Sequence, residues 1–167
     1  NSIQKSILDL SLAEKLQLLE DLWDDIASDP AAVPVQHWQK DELDRRKHNL
    51  LNNPAPALSW EEIHEDSFMK VGLSLISEVG QDLSAAYSWY NERRIGLGEE
   101  FLTCVDACIQ SICRRPELSP VVYKKFRRAL VRRFPYSVFY EYVGGTVVVY
   151  AVFHTSQNPL KWQRRVP

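Results

Sequence analysis

Cysteine is scarce in this chain: Cys104, Cys108 and Cys113 are the only three among 167 residues, all in one short stretch. An odd count without paired spacing argues against a disulfide framework and suits a reducing cytoplasm. Cys104 and Cys108 stand one helical turn apart, but no further Cys or His lies at ligand spacing. The trio therefore reads as buried helix cysteine, with no metal and no cofactor expected. No apolar run approaches the roughly 20 residues that cross a bilayer. A basic start followed by an apolar core is missing too, so no export signal is visible and a cytoplasmic, membrane-free location is expected. Methionine occurs once, at Met69.

Net charge is also small, at -2. That figure averages two oppositely charged pieces. Residues 1–68 hold 14 acids and 6 bases, and residues 69–167 hold 14 bases and 8 acids. The cations concentrate in "YKKFRRALVRR", six of them in the eleven residues from Tyr123 to Arg133. Met69 falls at the boundary and opens "MKVGLSLI", which reads like the start of a second protein. Two units are expected, 1–68 and 69–167.

The acidic unit reads as helices joined by polar connections. "SLAEKLQLLEDLWDDIA" begins with a capping box, Ser11 with Glu14. Leu16, Leu19, Leu22 or Trp23, and Ile26 then recur at helical spacing. Asp29-Pro30 and Pro34 end that helix. Residues 35–51 form a second, mostly polar helix that needs a partner surface. "NNPAPALSW" reads as a loop, and Ser59 with Glu62 as a second capping box. So short a unit with so little apolar surface is built to lie on something. Its first helix, within residues 1–30, has the Leu and Trp stripe for pairing chain to chain, and a swapped dimer is a further option.

The basic unit has another pattern. "KVGLSLI" is a short strand. "SEVGQDLSAAYSWYNERR" and "EEFLTCVDACIQSICRR" are helices separated by "IGLG", the second burying Phe101, Val105, Cys108 and Ile112. "FRRALVRRF", "YSVFYEYV" and "TVVVYAVFH" are strands, the last two joined by a Gly144-Gly145 hairpin. The class is α+β: strand, two-helix hairpin, three-strand antiparallel meander. The helices cover one face of the sheet and leave the other available.

This order, with "SAAYSWYNERRIGLGEEFL", "RRPELSPVVY" and "ALVRRFPYSVFYEYVGGTVVVYAVFH", resembles the RelE/ParE superfamily of bacterial toxins, the ParE branch in particular, over essentially all of 69–167. Residues 1–68, with "LSLAEKLQLLEDLWDDIA" and "SWEEI", are similar to the small addiction-module antitoxins that accompany such toxins. The resemblance implies an extended helical antitoxin wrapped on a toxin domain, in cis or between copies. Trp38, Trp60, Glu61, Glu62 and Ile63 are the expected contacts, with Glu65 and Asp66 among the acids that would meet the cations.

One branch of the superfamily cuts messenger RNA on the ribosome, and the other poisons DNA gyrase without a recognised hydrolytic site. RNA cleavage needs a base, an acid and cations for the developing phosphate charge. Lys124, Arg127, Arg133, Tyr140 and His154 are the set available for it. Against that stand Ser137, where nucleases carry arginine, and the ending "HTSQNP" in place of the "HGRRDP" frequent in the ParE branch. The expected function is a ParE-like gyrase poison neutralised by its own antitoxin segment, with a RelE-like ribonuclease as the alternative. Arg127, Arg128, Arg132, Arg133, Lys161, Trp162, Arg164 and Arg165 are the target-facing candidates. Operator DNA is a further partner, although residues 1–30 show no clear DNA-binding pattern and their acidity disfavours phosphate contact.

Overall fold

The computed structural model describes residues 7–54, the backbone of 58–59, and residues 71–156. The front unit begins with helix α1, Leu12–Ala27. Its capping box forms as read: the Glu14 amide donates to Ser11 Oγ and the Ser11 amide to Glu14 Oε2. Asp29 and Pro30 then turn the chain through a single 3-10 turn, Pro30–Ala32. Helix α2, His37–Asn52, carries a capping box of its own from Gln36 and Gln39.

The expected loop after α2 contains a strand. β1, Leu58–Ser59, pairs antiparallel with β2, Gly72–Leu75, with Ser59 opposite Ser74. The front unit is therefore not purely helical, and it supplies one edge of the sheet. Glu62 lies outside the described residues, as does the helix expected after Ser59.

β2 leads into helices α3, Ser77–Arg93, and α4, Leu97–Arg114, which form an antiparallel hairpin. Gly96 turns it with φ +88°, a left-handed conformation that glycine adopts without strain. Gly98 lets the helices touch, since a Cβ there would lie 2.7 Å from the Tyr87 ring. Then come β3, Val121–Tyr123; β4, Phe126–Leu130; β5, Tyr136–Val143; and β6, Thr146–His154. The meander thus has four strands rather than three. β4 stops at Leu130, short of the expected Phe134; the Val131 amide bonds the Tyr136 carbonyl, and the turn into β5 runs through Arg133 at a left-handed φ of 67°. Gly144 and Gly145, both at positive φ, make the β5–β6 hairpin turn as read.

The sheet order is β1-β2-β6-β5-β4-β3, with β2 parallel to β6 and the other pairs antiparallel. Side chains alternate across a strand, so Tyr136 and His154 face one side, Ser137 and Phe153 the other. α3 and α4 take the first side, where Tyr90, Phe101, Phe134 and Tyr136 stack edge to face within about 4.9–6.1 Å. Of the cysteines, Cys113 is buried and Cys104 and Cys108 are half-buried, all three as thiols.

Candidate interface between the two halves

The second face of the sheet is not left open. α2 lies across β6, with Leu43 fully buried and the Trp38 ring 4.9 Å from Phe153. What brings a polar helix here is the backbone of β6. β2 pairs with β6 only through Val149, because the chain turns at Ile76 into α3. Beyond that point the outer edge of β6 has backbone groups with no strand to bond. A buried, unpaired carbonyl or amide costs about 1–3 kcal/mol, so the edge selects polar side chains.

Three side chains close it. Arg46 Nη1 donates to the Tyr150 carbonyl at 3.0 Å, and Gln39 Nε2 to the His154 carbonyl at 2.9 Å. The Val152 amide donates to Asp82 Oδ2 at 3.0 Å, from α3. Gln39 and Arg46 are seven residues apart, two turns of one helix face. Arg46 and Asp82 also pair with each other, Nη1 to Oδ2 at 2.7 Å and Nη2 to Oδ1 at 2.8 Å. Burial pushes the Asp82 carboxyl above its ordinary value, against the pull of Arg46. Burial opposes the Arg46 charge as well, but hydrogen bonds to Asp82 and Glu42 raise its value. Glu42, one turn before Arg46, accepts from its Nε at 2.8 Å.

Around this centre are further cross-contacts. Lys47 pairs with Glu141, which also accepts from the Tyr150 hydroxyl. Asp44 accepts from the Tyr123 hydroxyl at 2.6 Å and from Lys124 at 2.8 Å, and these bonds hold its carboxyl below the usual range. Trp23 of α1 is buried and donates its indole N–H to the Val131 carbonyl at 2.9 Å.

The cations read from the sequence have separate surroundings. Arg128, read as target-facing, is turned inward at 4% exposure; its guanidinium donates to the Pro30 and Val33 carbonyls of the front unit. Burial alone lowers its pKa. Arg133 divides itself between Glu20 of α1 and Glu100 of α4. Arg127 donates to the Glu117 and Ser119 carbonyls. Arg132 is exposed beside a groove between α4 and β4 that Arg115 and Leu118 also line. Lys161, Trp162, Arg164 and Arg165 lie outside the described residues, as do Trp60, Glu61, Glu62, Ile63, Glu65 and Asp66.

The titratable groups read for RNA cleavage stand apart. Tyr140 is fully buried and donates to the Pro116 carbonyl at 2.7 Å. Burial raises its pKa. His154 stacks edge-on to Tyr136, and burial pushes its imidazole down to about 4. On β5 their registers, Tyr140 and Tyr136, are four residues apart, about 13 Å along a strand. Among the described residues no group of three or more His, Cys, Asp or Glu could hold a metal. None of their helices is long and apolar enough to cross a membrane.

Sequence reasoning missed Gln39, Arg46 and Asp82. The one available signal was a run of polar residues on a helix that had to be covered.

Two family models match the chain. Residues 9–63 match the addiction module component family, and residues 77–159 match the ParE toxin of the type II toxin–antitoxin system parDE. No curated protein matches it. Among solved structures, a chain of the chromosomal ParDE toxin–antitoxin system from P. aeruginosa is 13% identical, with a TM-score of 0.47 over 51% of this chain and 96% of that one. The two family regions meet the structure at the interface just described, α1 and α2 lying in the first and α3 to β6 in the second. The chain belongs to the type II toxin–antitoxin proteins, an addiction-module component followed in the same polypeptide by a ParE-family toxin domain.

Proposed function

We propose that residues 69–167 are a growth-inhibiting toxin that acts in the cytoplasm by binding DNA gyrase, without hydrolytic chemistry, and that residues 1–68 keep it silent. The observation that carries the first part is the dispersal of the nuclease candidates. Tyr140 is tied to Pro116 on the helix-covered face, and His154 is about 13 Å away in strand register. Lys124 and Arg133 flank opposite ends of β4. A general acid and base must both reach one scissile phosphate; Arg127 lies opposite Tyr140 in register, but Tyr140 and His154, the two groups read as acid or base, are not brought together. Ser137, buried on the α2-facing side, adds no cation there.

Silencing is supported by where the front unit lies. α2 and the Pro30–Val33 turn lie over the sheet face opposite the helix hairpin and engage Lys124 and Arg128, and Glu20 of α1 engages Arg133. Arg128 and Arg133 are two of the cations read as target-facing. The exposed stripe of α1, Leu12, Leu19, Leu22 and Ile26, supports self-association through residues 1–30.

The test is expression of residues 69–167 in growing cells beside the whole chain. Growth arrest with a DNA-damage response, and trapped gyrase–DNA cleavage complexes in vitro, are the expected results. Arrest with codon-phased cuts in translated messages would instead establish the ribosome as target and a ribonuclease activity. A mobility shift with upstream DNA tests operator binding by the whole chain.

A further inference from the structure

Much of what α2 offers the toxin domain would fit any domain of this architecture. Gln39 and Arg46 bond the carbonyls of His154 and Tyr150, and a backbone carbonyl is the same whatever side chain it belongs to. The peripheral ion pairs do depend on side chains, but water competes for them. Lys124 and Asp44 are 59% and 38% exposed, Arg133 and Glu20 are 41% and 29%. Such pairs discriminate weakly, since an orphaned partner simply hydrates. In the Lys47–Glu141 pair the carboxylate is buried at 5% exposure and also accepts from Tyr150, but Lys47 is 30% exposed, so the ammonium that the front unit contributes keeps access to solvent.

Arg46 and Asp82 differ from all of these in that both partners are buried. Their side chains are 8% and 10% exposed, and they meet through two parallel hydrogen bonds. Glu42 holds the Arg46 Nε from the same helix, so the guanidinium is aimed before any partner arrives. Asp82 is likewise fixed, by the Val152 amide of its own domain. A toxin domain without a carboxylate at this place would bury two guanidinium donors with nothing to receive them. Breaking one side of a buried pair costs far more than the pair contributes, and that asymmetry is what rejects a wrong partner.

We infer that Arg46 and Asp82 form the specificity lock by which the front segment recognises its own toxin domain: the backbone bonds supply adhesion, and this one pair decides which domain is accepted. The inference rests on the neutralising role proposed above.

The whole chain is used for the test, with amide hydrogen exchange along α2 around the buried Leu43 as readout. Arg46→Met and Asp82→Asn are expected to speed that exchange roughly 100-fold. Lys124→Ala, which breaks an exposed pair, is expected to change it by less than about threefold. Arg46→Asp and Asp82→Arg alone should be worse still. Combining them should recover at least about tenfold, incompletely, because the Val152 amide loses its acceptor.

The lock is overturned if Asp82→Asn behaves like Lys124→Ala, or if the combined reversal exchanges as fast as Arg46→Asp alone. Should substitution at Asp82 unfold the toxin domain, Arg46→Met decides the matter from outside it. The near-ultraviolet signal of the Tyr90, Phe101 and Phe134 cluster must then persist while α2 protection is lost. Protection retained in Arg46→Met overturns the lock. Growth separates the two readings. Arrest by the single reversals, relieved by the pair, supports both. The expected exchange pattern without any arrest supports the lock and overturns the toxic activity.

Discussion

Helices α1 and α2 each run for 16 residues in the same acidic front unit, and they meet the toxin domain in opposite ways. α1 has the leucine stripe that the sequence offers for pairing chain to chain. Against the toxin domain only Trp23 of it is buried, while Leu12, Leu19, Leu22 and Ile26 are about half exposed or more. α2 has few apolar residues and buries Leu43, Gln39 and Arg46. Apolar content measures what a helix can bury, but the receiving surface decides what is buried. Here the surface is a strand edge with carbonyls and an amide to satisfy, and such an edge takes amides and guanidinium groups.

Substitutions can break this contrast. The largest effect is expected from truncating the one fully buried leucine of α2. Leu43→Ala should cost roughly 2–5 kcal/mol in urea unfolding. The parallel Leu19→Ala on α1 should stay within about 0.5 kcal/mol. Equal losses at the two positions would erase the distinction between the helices.

Acid comes next. His154, whose carbonyl anchors Gln39, has an imidazole that burial depresses to about 4. A depressed histidine favours the folded state above its unfolded value of about 6.5 and loses that contribution as pH falls toward 4. Stability should therefore drop between pH 6.5 and 4, by at most roughly 3 kcal/mol. In His154→Gln the pH dependence of melting over that window should flatten. A variant that retains the full slope would assign the acid sensitivity elsewhere.

A smaller change sharpens the picture of α1. Ser11→Ala removes its N-cap and should cost about 1 kcal/mol of local helix stability. The loss should be visible as faster exchange in the first turn of α1, with α2 unmoved. Least of all, Lys124→Ala should leave the unfolding midpoint almost unchanged, and added salt should narrow even that difference.

Local chemistry made much of the fold legible. The Ser11–Glu14 box, the Asp29-Pro30 break and the Gly144-Gly145 turn act within a few residues, and each appears where its residues stand. The α3–α4 hairpin was legible for the same reason, since helical periodicity persists over several turns. β1 and β3 were not, because strands of two and three residues have no periodicity to detect. Nor could the sequence place Arg46 against Asp82, 36 residues away, or Gln39 against His154, 115 away. Those pairings follow from where β2 ends, and only the assembled sheet shows that. Arg128 shows the same limit from the other side. A cation in a basic run reads as surface, but the strand register turns it toward the Pro30–Val33 carbonyls.

The position of β1 carries one last consequence. Leu58 and Ser59 cap the outer side of β2, and Gln39 and Arg46 cap the upper stretch of β6. Stripping away the front unit would bare two adjoining stretches along one side of the sheet at once. Unsatisfied strand margins recruit other strands and promote clumping. Release would thus give the liberated domain freedom to act and a shortened soluble lifetime, a built-in limit on how long it persists unescorted.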